Sequence, residues 1–174
     1  DIKIFLIALV FLLVNQIYMY ILFMTFAIIH ECFHLLTGII LGYKVKSIRI
    51  MPLGLSIAFN EKEEDYNAKI RKSNFNNVKK IIILLMGPIS NIVIAFFFML
   101  LNMAIPVYIN VLIAIFNLLP IYPLDGGQIL NRVLRIIYGN FEAYKISNSV
   151  NNIIMSILTA LASIGLLYTK NIAI

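Results

Sequence analysis

From Ile2 to Gly42 the chain is apolar almost throughout, and that one run limits what it can become. At ~1.5 Å of rise per residue it is too long for a single crossing of a ~30 Å hydrocarbon layer, so it must turn back on itself. Asn15 and Gln16 form the polar pair inside it. A turn there divides the run into a short first span, residues 2–15, and a second helix, residues 17–42. Lys3 precedes the apolar stretch but no small-residue cleavage site follows, so it reads as a retained membrane segment and not a removable signal. Composition agrees: 61% of residues are hydrophobic and 13% charged, with a mean hydropathy of +0.95, against about 45–50% and about 25% in soluble domains. The expectation is an all-α polytopic membrane protein, folded as a single membrane-embedded domain over residues 1–174, with no internal repeat and no Pro- or Ser-rich linker. The lone Cys32 excludes an internal disulfide and a CxxC metal site.

Residues 43–80 change character. Nine of the fourteen Lys and Arg residues lie there, with the acidic run Glu61, Glu63, Glu64 and Asp65, so this is the main hydrophilic loop. Within it the stretch 48–59 is apolar but broken by Pro52 and Gly54, which suits a re-entrant or β segment, or a surface hairpin. A third span follows at 81–101, "IIILLMGPISNIVIAFFFMLL", and a fourth at about 105–121. Arg132, Arg135 and Lys145 stud an amphipathic segment at 128–145 that would lie on the membrane surface. Residues 153–168 give a fifth, shorter span.

The basic residues orient the chain. Lys44, Lys46, Arg49, Lys79 and Lys80 flank the second and third spans, and Arg132, Arg135 and Lys145 follow the fourth. All fall on the cytoplasmic side if the N-terminus is inside. They explain the net charge of +6 without nucleic acid. His34 then lies about 12 Å from the cytoplasmic end of its helix at ~1.5 Å per residue, and Asp125 follows the cytoplasmic end of the fourth span.

The chemistry is concentrated in His30-Glu31-Cys32-Phe33-His34. Residues i and i+4 share a helical face, so both imidazoles can bind one Zn²⁺, while the glutamate beside the first histidine is placed to take a proton from water. A catalytic zinc needs a third protein ligand, and the chain has only these two histidines. A carboxylate or the thiol must complete the set. Cys32 points to the opposite helical face from His30, and the acidic run at 61–65 suits a solvated surface. Asp125, at the end of a membrane span in "PLDGG", stands out. Ionisable groups inside membrane segments cost ~2.5–3.5 kcal/mol each on insertion scales and by default mark function. A chance HExxH is the plain alternative, and for Gly87, Pro88 and Asn91 taken alone a kinked helix with a packed small residue is the favoured reading. For Cys32 and the Phe96-Phe97-Phe98 run, packing and lipid contact suffice.

Three motifs together, HExxH in the second span, "GPISN" in the third and "NLLPIYPLDGG" ending the fourth, resemble the site-2 protease family of intramembrane zinc metalloproteases. The runs "FNLLPIYPLDGGQIL" and "LGYKVKSIRIMPLG" are most similar to its bacterial sporulation branch, which processes a pro-sigma factor. The resemblance covers about residues 2–168. It implies a six-helix core, one Zn²⁺ held by His30, His34 and Asp125, Glu31 as base, and Asn117 near the site as an oxyanion-stabilising or substrate-contacting group. It also implies that Pro120 and Pro123 break the fourth helix and that Gly126 and Gly127 permit the turn bringing Asp125 to the metal. The partners implied are a membrane-tethered protein substrate of pro-sigma-factor type, the bilayer, and membrane proteins that regulate cleavage. Phe33 stands where the family usually has glycine, and the family's sixth span and C-terminal nucleotide-sensing (CBS) domain find no counterpart among the five spans read here.

The function expected is therefore peptide-bond hydrolysis in or beside the membrane, with "MPLGLSIAF" offering a strand edge to an unwound substrate and the 61–80 loop a place for a substrate domain to dock. A metal transporter or non-catalytic metal-binding membrane protein would use the same His and Asp but not Glu31 as a base. A membrane-anchored peptidase of soluble substrates is the third reading.

Overall fold

The computed structural model describes residues 12–13, 15–51, 54–59 and 70–172. Most of the expected first span, 2–15, and the acidic run at 61–65 lie outside them. The turn falls where the polar pair places it. Asn15 takes a left-handed φ of 60°, its amide donates to Leu12 O at 3.1 Å, and helix α1 starts at Ile17. Asparagine tolerates that conformation better than most residues.

Helix α1 spans Ile17–Ile40, two residues short of the expected end. Gly42 stops it. With φ at +83° it donates to Ile39 O, while Tyr43 N–H reaches back to Gly38 O at 2.9 Å. These are the two bonds of a Schellman cap, whose left-handed residue is best served by glycine. The Tyr43 ring then meets Phe59 edge-on at 6.0 Å, which ties the helix end to the following hairpin. That hairpin, β1 (Val45–Met51) and β2 (Gly54–Phe59), is antiparallel with Met51 opposite Gly54 and an irregularity between Val45 and Ser47. It fills the stretch expected to be re-entrant or β, and it is the only sheet among the described residues.

Helix α2 runs Ile70–Leu100, not from 81. The basic stretch expected as loop is its first turns. Arg and Lys are good helix formers, and Lys79 and Lys80 sit on the same continuous helix as the apolar span. Helix α3, Ala104–Asn117, ends four residues before the expected 121, because Pro120 disfavours the helical conformation at Leu119. At ~1.5 Å per residue it is about 21 Å long, short of a ~30 Å layer. Residues 118–124 form a compact turn with a cis Tyr122–Pro123 peptide. Helix α4 begins at Asp125 and runs to Ile172, broken at Gly139 (φ 79°, ψ 174°). The expected surface segment 128–145 is therefore two pieces, and residues 153–168 belong to one long helix that starts just after the break. Two described helices are long and apolar enough to cross a membrane, Ile17–Ile40 and Asn74–Leu100, and Ala104–Asn117 is a shorter apolar one.

Helix α2 is central, packing against α1, α3 and α4, while β2 lies on α1. Three of the helices bury a stripe at four-residue spacing: His30, His34 and Gly38 on α1, Ile83, Gly87, Asn91 and Ala95 on α2, and Pro106, Asn110 and Ala114 on α3. Polar groups therefore line the core, and large apolar side chains such as Ile40, Val93, Phe97 and Leu112 cover the outside.

Candidate metal centre

Helical spacing stacks His30 and His34 on the inner face of α1, with ring centroids 4.6 Å apart. Asp125 comes to them from the first turn of α4. Its Oδ2 lies 3.0 Å from His30 Nε2 and 3.2 Å from His34 Nε2, and the two Nε2 atoms are 3.0 Å apart. All three residues are buried.

The far nitrogens decide what these three atoms can be. His30 Nδ1–H donates to Asn91 Oδ1 at 2.5 Å, and His34 Nδ1–H donates to the backbone carbonyl of Ile83 at 2.7 Å. Both acceptors are oxygens without a proton to give, so each neutral imidazole carries its hydrogen on Nδ1 and presents a lone pair at Nε2. With both rings neutral, two nitrogen lone pairs and a carboxylate oxygen face one another within 3.0–3.2 Å. A cation resolves that repulsion. Ligands ~2.0–2.1 Å from a tetrahedral zinc would be separated by about 3.3 Å, so the donor set fits zinc in type and spacing.

Gly87 completes the fit. A Cβ there would lie 2.4 Å from His34 Nε2 and 2.5 Å from His30 Nε2, in the space on which the donors converge. Pro88, next on α2 and fully buried, has no N–H for the Leu84 carbonyl and interrupts the ladder beside Ile83. Asp125 is placed by two further close approaches. A Cβ on Gly126 would lie 2.1 Å from Leu118 O, and one on Gly127 2.4 Å from the Ile121 carbonyl carbon. The 118–122 turn thus rests directly on the start of α4, and only glycine allows it.

Glu31 stands further out, half-buried, with a carboxylate oxygen and the imidazole nitrogens of His30 and His34 all within 4.8 Å of one another. Cys32 is exposed, away from the cluster. Asn117 is part-buried and its side-chain amide donates to Ile113 O of its own helix at 3.0 Å. Asn110 and the Ile83 carbonyl were not expected at the site, and Gly87 and Asn91, part of the "GPISN" motif, were expected by themselves only as part of a kinked, packed helix. Asparagine in the apolar run "VYINVLIAIF" is the signal that Asn110 leaves.

Among known proteins, the peptidase family M50 matches residues 18–107 and 99–161. A zinc metalloprotease of Methanocaldococcus jannaschii is 26% identical over 135 residues, which is 76% of this chain and 39% of that protein. The chain therefore spans well under half the length of that relative.

Proposed function

Because the chain belongs to peptidase family M50, the site-2 protease family, we propose that it is a membrane zinc metalloprotease whose metal is held by His30, His34 and Asp125. The observation that carries this is the convergence of two Nε2 lone pairs and one carboxylate oxygen, each within 3.2 Å of the others, in front of a glycine. Zinc bound there would supply Lewis acidity toward a peptide carbonyl and acidify a water.

The chain's own residues do the rest. Glu31, beside the histidines but outside the ligand triangle, takes the proton of the attacking water on its carboxylate and returns it to the departing amide nitrogen. Asn117, at the end of α3, would meet substrate by releasing its bond to Ile113 O. The outer edge of the hairpin would accept an unwound substrate as an added strand, and its attachment to α1 through the Tyr43–Phe59 contact keeps it near the metal helix.

The substrate proposed is a membrane-tethered protein of pro-sigma-factor type, on the strength of the runs 41–54 and 116–130 that resemble the sporulation branch. The multi-pass arrangement and a site in the cytoplasmic leaflet belong to the same reading. In its support, Lys79 Nζ donates to Leu41 O at the end of α1, and Arg132 donates to Asn77 at the start of α2. Basic residues from two helices gather at one end of the bundle, as the inside rule asks. Counted from that end, His34 is six residues before Ile40 and Asp125 seven before Arg132, so both lie ~10 Å inward at ~1.5 Å per residue.

Co-expression with a tethered pro-sigma-type substrate tests the reading. The native chain is expected to cleave, and Glu31→Gln to cleave at least about a hundredfold more slowly, general base catalysis being worth ~10²–10⁴. Undiminished cleavage by Glu31→Gln would remove its assigned role, and metal-dependent transport without cleavage would favour a carrier.

A further inference from the structure

On the side of His30 away from Asp125 stand two asparagines, each at 0% exposure and on different helices. Their bonds form a directed series. Asn110 Nδ2 donates to Pro106 O at 2.9 Å, its Oδ1 accepts from Asn91 Nδ2 at 2.8 Å, and Asn91 Oδ1 accepts from His30 Nδ1. A carboxamide has one donating and one accepting end, and a backbone carbonyl only accepts. The Pro106 carbonyl therefore sets the direction of both amides.

Reverse either amide and two donors or two acceptors meet in a site where no described buried side-chain polar atom lacks a partner. Such a mismatch costs far more in a dry interior than at a surface. His34 needs no such device, because its Nδ1 faces the backbone carbonyl of Ile83, which cannot turn around. The Asn91 side chain could turn around, and Asn110 is what prevents it.

We propose that Asn110 is a positioning residue for the metal centre: acting through Asn91, it holds His30 as the tautomer whose Nε2 lone pair faces His34 and Asp125. This rests on the metal-centre reading above. It assigns to α3, which supplies no ligand, a share in metal affinity, in the way that outer partners of zinc histidines fix ring orientation.

The test is a double-mutant cycle on zinc affinity in detergent, read by competition with a chromophoric chelator, for the native chain, Asn91→Ala, Asn110→Ala and both together. Thermal unfolding of the metal-free proteins reports folding. Each single change is expected to weaken zinc binding by about 10- to 100-fold, and the double change to be no worse than Asn91→Ala, since Asn110 acts only through Asn91. Cobalt substituted for zinc is expected to show an altered visible spectrum in Asn110→Ala. Affinity in Asn110→Ala within about twofold of native, or losses that multiply in the double variant, would overturn the proposal. Should the alanine chain fail to fold, Asn110→Ser replaces it, its hydroxyl donating to Pro106 O and still accepting from Asn91. It is expected to stay within about tenfold of native, and a loss of about a hundredfold in folded Asn110→Ser would equally overturn the proposal. A native chain without zinc would bring down the metal-centre reading itself, whereas native binding with an unaffected Asn110→Ala removes only the role of Asn110.

Discussion

At the scale of single residues the site depends as much on an absent side chain as on those present. Gly87→Ala adds one methyl 2.4–2.5 Å from both imidazole Nε2 atoms, far inside van der Waals contact. The expected outcome is loss of bound zinc, by metal analysis, from a chain that still folds; retention of a full equivalent would show that the donors converge elsewhere. Cys32 sets the opposite expectation. Exposed and outside the donor set, it is predicted to tolerate Cys32→Ser with unchanged zinc content and cleavage. The sequence pointed to His30, Glu31, His34 and Asp125 because ionisable groups in an apolar setting need a reason to be there, and the structure brings the two histidines and Asp125 together. Asn110 and the Ile83 carbonyl were not legible in it. Their partners lie 19 and 49 residues away in the chain, a pairing that exists only once α2 has packed against α1 and α3.

At the scale of elements, glycines act in two physically distinct ways. A Cβ added to Gly42 would meet nothing within 4 Å, yet the residue's φ is +83°. Gly42→Ala should therefore cost only the left-handed backbone penalty, about 1–2 kcal/mol, measured as a modest fall in thermal stability with zinc retained. Gly126 has no such φ, but a Cβ on it would press on the Leu118 carbonyl at 2.1 Å. Gly126→Ala should shift the start of α4, and with it Asp125, giving weakened zinc binding out of proportion to any loss of stability. Equal effects of the two changes would refute that distinction. The element boundaries divide along the same line. The start of α1 was readable from the polar pair Asn15 and Gln16, where the left-handed Asn15 turns the chain. The early start of α2 was not, since Lys and Arg signal loop and helix alike, and the break at Gly139 was not either, since an isolated glycine inside a helical pattern is tolerated.

At the scale of the molecule the surface is inverted: amides, imidazoles and a carboxylate inside, Val93, Phe97, Leu112 and their neighbours outside. Water would not stabilise such an arrangement, and hydrocarbon would. Val93→Asp and Phe97→Asp are predicted to reduce the chain recovered from membranes, at ~2.5–3.5 kcal/mol per charge on insertion scales; better yield of aqueous-soluble protein would contradict a lipid-facing α2. The membrane character was legible from composition, but the number of crossings was not, because α3 is too short by itself and residues 140–172 form one helix where the pattern suggested a surface segment followed by a span. Asp125 of α4 meets His30 and His34 of α1, and the zinc proposed there would join the two helices. The most direct measurement is zinc per chain in purified native protein, Glu31→Gln and Asp125→Ala. One equivalent in the first two and a clear loss in the third is the result predicted here. No zinc in the native chain, or zinc lost from Glu31→Gln and kept by Asp125→Ala, would contradict it.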